Sequence, residues 1–96
     1  MKITIRSFLT LREVTGDQSV LELEIGNLTL MDLLYKLTDM FGDRFAEMFF
    51  DKDGKGLNQQ IRILINGRHY SHLKQKLNTR LQEGDEVALF PPIAGG

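Results

Sequence analysis

The chain has no cysteine among its 96 residues. That excludes disulfides, thiolate metal sites, redox pairs and a cysteine nucleophile together, and leaves burial to stabilise the fold. Charge of one sign is lacking as well: twelve Lys and Arg against thirteen Asp and Glu leave a formal net charge of -1. No overall field then gathers nucleic acid or anionic lipid, and neither is expected as a partner. Apolar runs are short, and none approaches the roughly twenty residues that span a bilayer. Met1-Lys2-Ile3-Thr4-Ile5-Arg6 alternates like a strand instead of opening a signal peptide, so the expected location is cytoplasmic. Proline occurs only twice, as the adjacent pair Pro91-Pro92. What is present is a folding composition, 42% hydrophobic with six Phe and two Tyr, unlike that of disordered chains. A chain this short holds one core, so a single domain is expected.

The period of the apolar residues sets the element order. Ile3 and Ile5 alternate with Lys2, Thr4 and Arg6, a strand with one wet face running to about Phe8. A turn composition at Thr15-Gly16-Asp17 leads to a second strand with Leu21, Leu23 and Ile25 alternating, hairpinned to the first. The period then changes: Leu30, Leu33, Leu34, Leu37 and Phe41 recur at helical spacing. Thr29 with Asp32 reads as its N-terminal cap, Leu28 with Leu33 as a hydrophobic staple, and Gly42 as its stop. Residues 43 to 50 suggest a short second helix with Phe45, Met48 and Phe49 on one side. Asp51 to Gln60 has no apolar period and reads as an exposed loop. A third strand places Ile61, Ile63 and Ile65 inward. Asn66-Gly67 is a two-residue hairpin signal, because both central residues of a type I′ turn need positive φ, and it leads to a short strand near His69 to His72. Glu83-Gly84-Asp85 turns the chain into a last strand, Glu86 to Phe90. This order predicts an α+β fold, a mixed sheet of four to five strands with one main helix packed across one face. The first and last long strands lie side by side in its middle, which is the β-grasp, ubiquitin-like arrangement. Residues 1–90 form the domain and 91–96 a tail.

Conventional chemistry is sparse. His69 and His72 have no carboxylate at metal-ligand spacing and read as surface or structural residues, so no metal site is expected. Asp51-Lys52-Asp53-Gly54 begins like a calcium loop, but Lys55 holds the fifth position and Arg62 the twelfth, where a bidentate Glu is needed. No strand-to-helix junction carries a phosphate-binding glycine pattern. Met31, Met40 and Met48 read as core or semi-core residues.

The end of the chain is different. Pro91-Pro92-Ile93-Ala94-Gly95-Gly96 contains no charged side chain and finishes on two glycines. The proline pair removes two amide donors and fixes φ, so the tail leaves the sheet as a stiff stem. Gly95 and Gly96 lack Cβ atoms, and an extended Gly-Gly enters a channel too narrow for other residues, bringing its carboxylate to a reacting centre.

The run Gly84-Asp85-Glu86-Val87-Ala88-Leu89-Phe90-Pro91-Pro92-Ile93-Ala94-Gly95-Gly96 resembles the end of the small subunit of molybdopterin synthase, a sulfur carrier of the MoaD/ThiS type with a ubiquitin-like fold. The resemblance extends to the length, the strand order, the amphipathic helix and the Ile65-Asn66-Gly67 hairpin. It implies that an adenylating enzyme of the ubiquitin-activating type uses ATP to adenylate the Gly96 carboxylate. Sulfur from a donor protein then displaces AMP, and the thiocarboxylate delivers that sulfur in the active site of the synthase large subunit to build a dithiolene on a pterin. It implies no bound cofactor, and it places the catalytic side chains in the partner.

A docking surface is expected beside such a tail. Phe8, Leu64, Ala88 and Phe90 fall on the side of the strands away from the helix, and clustered apolar residues on a wet face mark a contact site. Packing of Phe8 and Phe90 over the sheet edge is the alternative. Arg6, Arg62 and Arg68 stand where they can rim the patch. Other readings of the whole chain remain: a protein modifier joined through Gly96 to lysines, a carrier for thiamin, cysteine or tungsten-cofactor synthesis, or a binding module with an idle tail.

Overall fold

The computed structural model describes residues 1–51 and 56–92. Strand β1, Lys2–Ser7, turns Ile3 and Ile5 into the core and leaves Lys2 and Arg6 exposed. Strand β2, Val20–Glu24, pairs with it antiparallel, Leu23 opposite Ile3 and Leu21 opposite Ile5. Between them lies a one-turn helix, α1 (Leu11–Val14), with Leu11 fully buried. Only the turn composition is visible in the sequence there, because four residues are too few to display a period. The Thr15 hydroxyl, in a buried residue, donates to one of two carbonyls within reach, those of Arg12 at 3.2 Å and Gln18 at 3.0 Å.

Helix α2, Leu30–Phe41, buries Leu30, Leu33, Leu34 and Leu37 completely, each worth roughly 1.5–3 kcal/mol of transfer free energy. Its start is the expected cap. The Asp32 amide donates to Thr29 Oγ1 and the Thr29 amide donates to Asp32 Oδ2, both at 3.1 Å. Gly42, at φ +81°, ends α2 and starts helix α3, Asp43–Phe49. Phe45 and Phe49 of α3 are fully buried and stacked with centroids 4.6 Å apart, so the short second helix expected over 43 to 50 joins α2 in covering the sheet. Met31 and Met48 pack against the core. Met40 does not: it is 45% exposed, because it lies on the outer side of α2 beyond the leucine stripe.

Strand β3, Arg62–Ile65, and the short β4, Arg68–His69, join through Asn66 and Gly67 at φ +51° and +85°, the hairpin expected from the sequence. The Asn66 side chain also ties this turn to the last strand, donating to Asp85 Oδ1 and accepting from the Glu86 amide, both at 2.9 Å. The strand expected over His69 to His72 stops at His69 and becomes a 3₁₀ turn over Tyr70–His72. The cause is local: His69 Nδ1 accepts the Ser71 amide at 3.1 Å, drawing the backbone out of the ladder. The loop from Asp51 to Gln60 is less open at its described ends than expected. The Asn58 amide donates to the Phe49 carbonyl at 2.9 Å, and Leu57, bridged to Phe50, packs against the core. One apolar residue in a polar stretch leaves no period to read. Lys52 to Lys55, the centre of the calcium-like run, lie outside the described residues.

Strand β5, Glu86–Phe90, completes the sheet, in the order β2-β1-β5-β3-β4. β5 runs parallel to β1 and antiparallel to β3. The core lies between this mixed sheet and the helices, with Ile63, Val87 and Leu89 at most 1% exposed. This is the β-grasp, ubiquitin-like fold, and it brings the ends of β1 and β5 together at one pole, where the tail begins.

Candidate functional site

The ladder stops at Phe90, as a proline pair requires, since neither Pro91 nor Pro92 has an amide to donate. Pro91 is nevertheless buried and Pro92 half-buried, so the chain leaves the sheet here without leaving the body. Ile93, Ala94, Gly95 and Gly96 lie outside the described residues. What the structure shows is the root from which they continue.

Around that root, strand register assembles the predicted face. Leu64 stands opposite Ala88, Arg62 opposite Phe90, and Arg6 beside Ala88. The Phe8 amide donates to the Leu89 carbonyl at 3.2 Å, continuing the parallel pairing by one residue and setting Phe8 next to Phe90. Their rings stack with centroids 4.3 Å apart and planes 8° from parallel. Phe8, Leu64, Ala88 and Phe90 are all half-buried, while their strand neighbours Ser7, Ile63, Ile65, Val87 and Leu89 are buried on the helix side. All four therefore share one surface. The two rings lie over the paired central strands, β1 and β5, and not over an outer edge.

Two depressions flank this patch. One, of about 570 Å³, lies at the tail root between Leu9, Arg62, Phe90 and Pro91, with Gln59, Gln60, Ile61 and His69 completing its walls. The other, of about 520 Å³, is lined by Arg62, Leu64, His69, Ser71, His72 and Phe90. Arg62, His69 and Phe90 form the ridge they share. Arg6 is held at the face by Glu86, 2.9 Å away, an exposed pair that contributes little to stability. His69 is engaged through Nδ1 with Ser71, whose Oγ is 2.8 Å away, and its ring stacks on Tyr70. Among the described residues no three His, Asp or Glu side chains come together to hold a metal ion. The arrangement offers an apolar, ridged surface with the hydrogen-bonded His69–Ser71 pair at its side.

Two features escape a reading by period. Leu9, placed between β1 and α1, is exposed and lines the groove at the tail root; nothing in a single leucine announces that. The other was legible but is not periodic. From Gly54 to Gln82 the sequence has no Asp or Glu, while Lys55, Arg62, Arg68, Lys74, Lys76 and Arg80 fall within it. The ion pairs of the described residues join Lys2, Arg6, Arg12, Arg44 and the N-terminus to carboxylates. None involves Arg62, Arg68, Lys74, Lys76 or Arg80. Arg62 on β3 and Arg68 on β4 thus give the patch a cationic flank. At the opposite pole, Lys74, Lys76 and Arg80 line a polar depression of about 700 Å³ beside Thr29 at the start of α2.

The model of the ThiS family matches residues 5–96. Small archaeal modifier protein 3 of Haloferax volcanii is 33% identical over 96 residues, covering all of both chains. A proposed sulfur carrier protein of Archaeoglobus fulgidus is 34% identical over 80 residues, which is 83% of this chain and 88% of that one. The crystal structure of the small archaeal modifier SAMP1 from Haloferax volcanii superimposes with a TM-score of 0.79 at 30% identity, covering both chains completely.

Proposed function

The chain belongs to the ThiS family of ubiquitin-like sulfur carriers and modifiers, and from that premise we propose that it works through an activated carboxylate at Gly96. A carboxylate oxygen attacks the α-phosphorus of ATP on an adenylating partner, pyrophosphate leaves, and the tail becomes an acyl adenylate. Reduced sulfur from a donor protein then attacks the acyl carbon, AMP departs, and the thiocarboxylate is the cargo. The receiving enzyme we propose is the large subunit of molybdopterin synthase, where two such transfers build the dithiolene on a pterin. The run Phe90-Pro91-Pro92 leading to Gly95-Gly96 supports this choice. The observation that carries the general reading is the family match running through the last residue. The fold is consistent with it: the last central strand ends at the proline pair beside a stacked aromatic patch. Phe8, Leu64, Ala88 and Phe90 are then the surface on which partners hold the tail in register, and Pro91 to Ala94 the stem that delivers Gly95 and Gly96.

A second reading is favoured by a specific finding: the relative matched over the whole chain is named a modifier. In that case the same activated Gly96 is transferred to the ε-amine of a protein lysine. Intact-protein mass after incubation with host extract, ATP and a sulfur source separates the two. Exchange of one oxygen for sulfur, localised to Gly96, is the expected carrier outcome; larger species joined through Gly96 to lysines would favour the modifier. Deleting Gly96, or adding one residue after it, is expected to abolish either product with Tm unchanged. Activation of either variant would overturn the proposal.

A further inference from the structure

Leu9 has φ +56°, a left-handed conformation that crowds a Cβ and that glycine or asparagine adopts with less strain. The turn is made by the backbone, with the Leu11 amide on the Phe8 carbonyl and the Arg12 amide on the Leu9 carbonyl, both at 3.2 Å. A glycine would serve that turn. The leucine side chain takes no part in the core: at 56% it is the most exposed large apolar residue of the described residues. Strain that the local structure does not need points to a role elsewhere. Leu9 walls the groove at the tail root together with Phe90, Pro91 and the buried Ile61. Arg62 lines the same groove, pairs with no carboxylate among the described residues, and belongs to the stretch that has no acidic residue.

We propose that this groove is a recognition subsite for the protein that activates Gly96. It takes an extended segment of that partner, an aliphatic side chain seated between Leu9 and Phe90 and an adjacent carboxylate on Arg62. The chemistry names the occupant: an apolar wall selects the aliphatic group, and an unpaired guanidinium in a cationic flank selects the acid. The inference rests on the carrier reading for the partner's identity but not for the binding itself, and the two can fail separately.

The test titrates the ¹⁵N-labelled full chain with three acetylated, amidated peptides: Gly-Glu-Leu-Glu-Gly, Gly-Lys-Leu-Lys-Gly and Gly-Glu-Ala-Glu-Gly. Saturable amide shifts at Leu9, Ile61 and Arg62 are expected with the first peptide, and several-fold weaker binding with the other two. Leu9→Gly is expected to keep or raise Tm, because it relieves the strained φ, and to lose the peptide. Leu9→Asn, which also tolerates the backbone, should lose it too. With the activating enzyme, Leu9→Gly should raise KM and leave kcat unchanged. Equal binding of the three peptides, shifts confined to another surface, or a Tm several degrees lower in both variants would overturn the subsite. Self-association of the chain abolished by Leu9→Gly would assign the groove to a second copy and overturn it as well. Binding of the acidic peptide with no activation of Gly96 would leave the subsite standing and sink the carrier reading; activation indifferent to Leu9→Gly would do the reverse.

Discussion

The two faces of the sheet are built from the same strands, one residue apart, and their fates differ. Toward the helices, Ile3, Ile5, Ile63, Val87 and Leu89 are at most 1% exposed. On the other side, Leu64, Ala88 and Phe90 occupy the intervening positions and stay half-open. Alternation on a one-sided sheet should place polar groups there, as it does at Lys2, Thr4 and Arg6 of β1 and at Glu22 and Glu24 of β2. Apolar residues cluster on the open face where β5 and β3 approach the tail root, joined there by Phe8, while β2 contributes only Val20. The difference teaches where burial already serves folding and where apolar surface stays open to solvent, the kind of surface the proposed docking uses.

That contrast can be broken by matched truncations. Ile63→Ala should destabilise the domain by about 2–5 kcal/mol, because it opens a cavity in a filled core. Leu64→Ala, one residue along, should cost under about 1 kcal/mol, in line with its partial burial. Urea denaturation of the pair measures both, and equal losses would mean that the faces are equivalent. Phe90→Ala sharpens the comparison further. It removes a ring stack worth about 0.5–1.5 kcal/mol, so Tm should fall by several degrees at most while partner binding drops strongly; unaltered binding in a pull-down or titration would return Phe90 to simple packing. Thr29→Ala tests the helical layer away from both faces and should cost about 1 kcal/mol through loss of the α2 cap, without altering partner binding.

The smallest effect concerns the other half of that cap. The Thr29 amide, and next the Thr29 side chain, hold the Asp32 carboxyl below its usual 3.8, with Arg80 adding a smaller pull. A carboxylate whose folded pKa is depressed contributes stability above the unfolded value and loses it as pH falls through the folded one. Asp32→Asn should therefore be slightly less stable than the parent at neutral pH, and the gap should close as pH drops below about 4. Urea midpoints between pH 6 and 2.5 would check it. A gap independent of pH would show that the capping bond, and not the charge, is what the substitution removes.

Much of this molecule was legible from local signals, and the residues show why. The Ile3–Ile5 alternation, the leucine stripe of α2, the Thr29–Asp32 cap and the Asn66–Gly67 turn each depend on neighbours within a few positions, so period and turn chemistry predict them directly. The predicted face was legible too, because alternation alone puts Leu64, Ala88 and Phe90 on one side. The misses were short or aperiodic: the single turn of α1, the tie at Leu57, the 3₁₀ turn after His69 and the outward position of Met40.

By itself, then, the sequence determined the strand and helix pattern, the tight hairpin turn, and the proline pair followed by Gly95-Gly96. The tertiary structure alone decided that the Phe8 and Phe90 rings stack face to face, that Pro91 is buried, and that Leu9 stands strained and exposed beside a groove completed by Arg62. Those facts depend on parallel pairing between β1 and β5, which lie at opposite ends of the chain. Periodicity reports which side of its own element a residue occupies, whereas the register between distant elements determines what stands next to it.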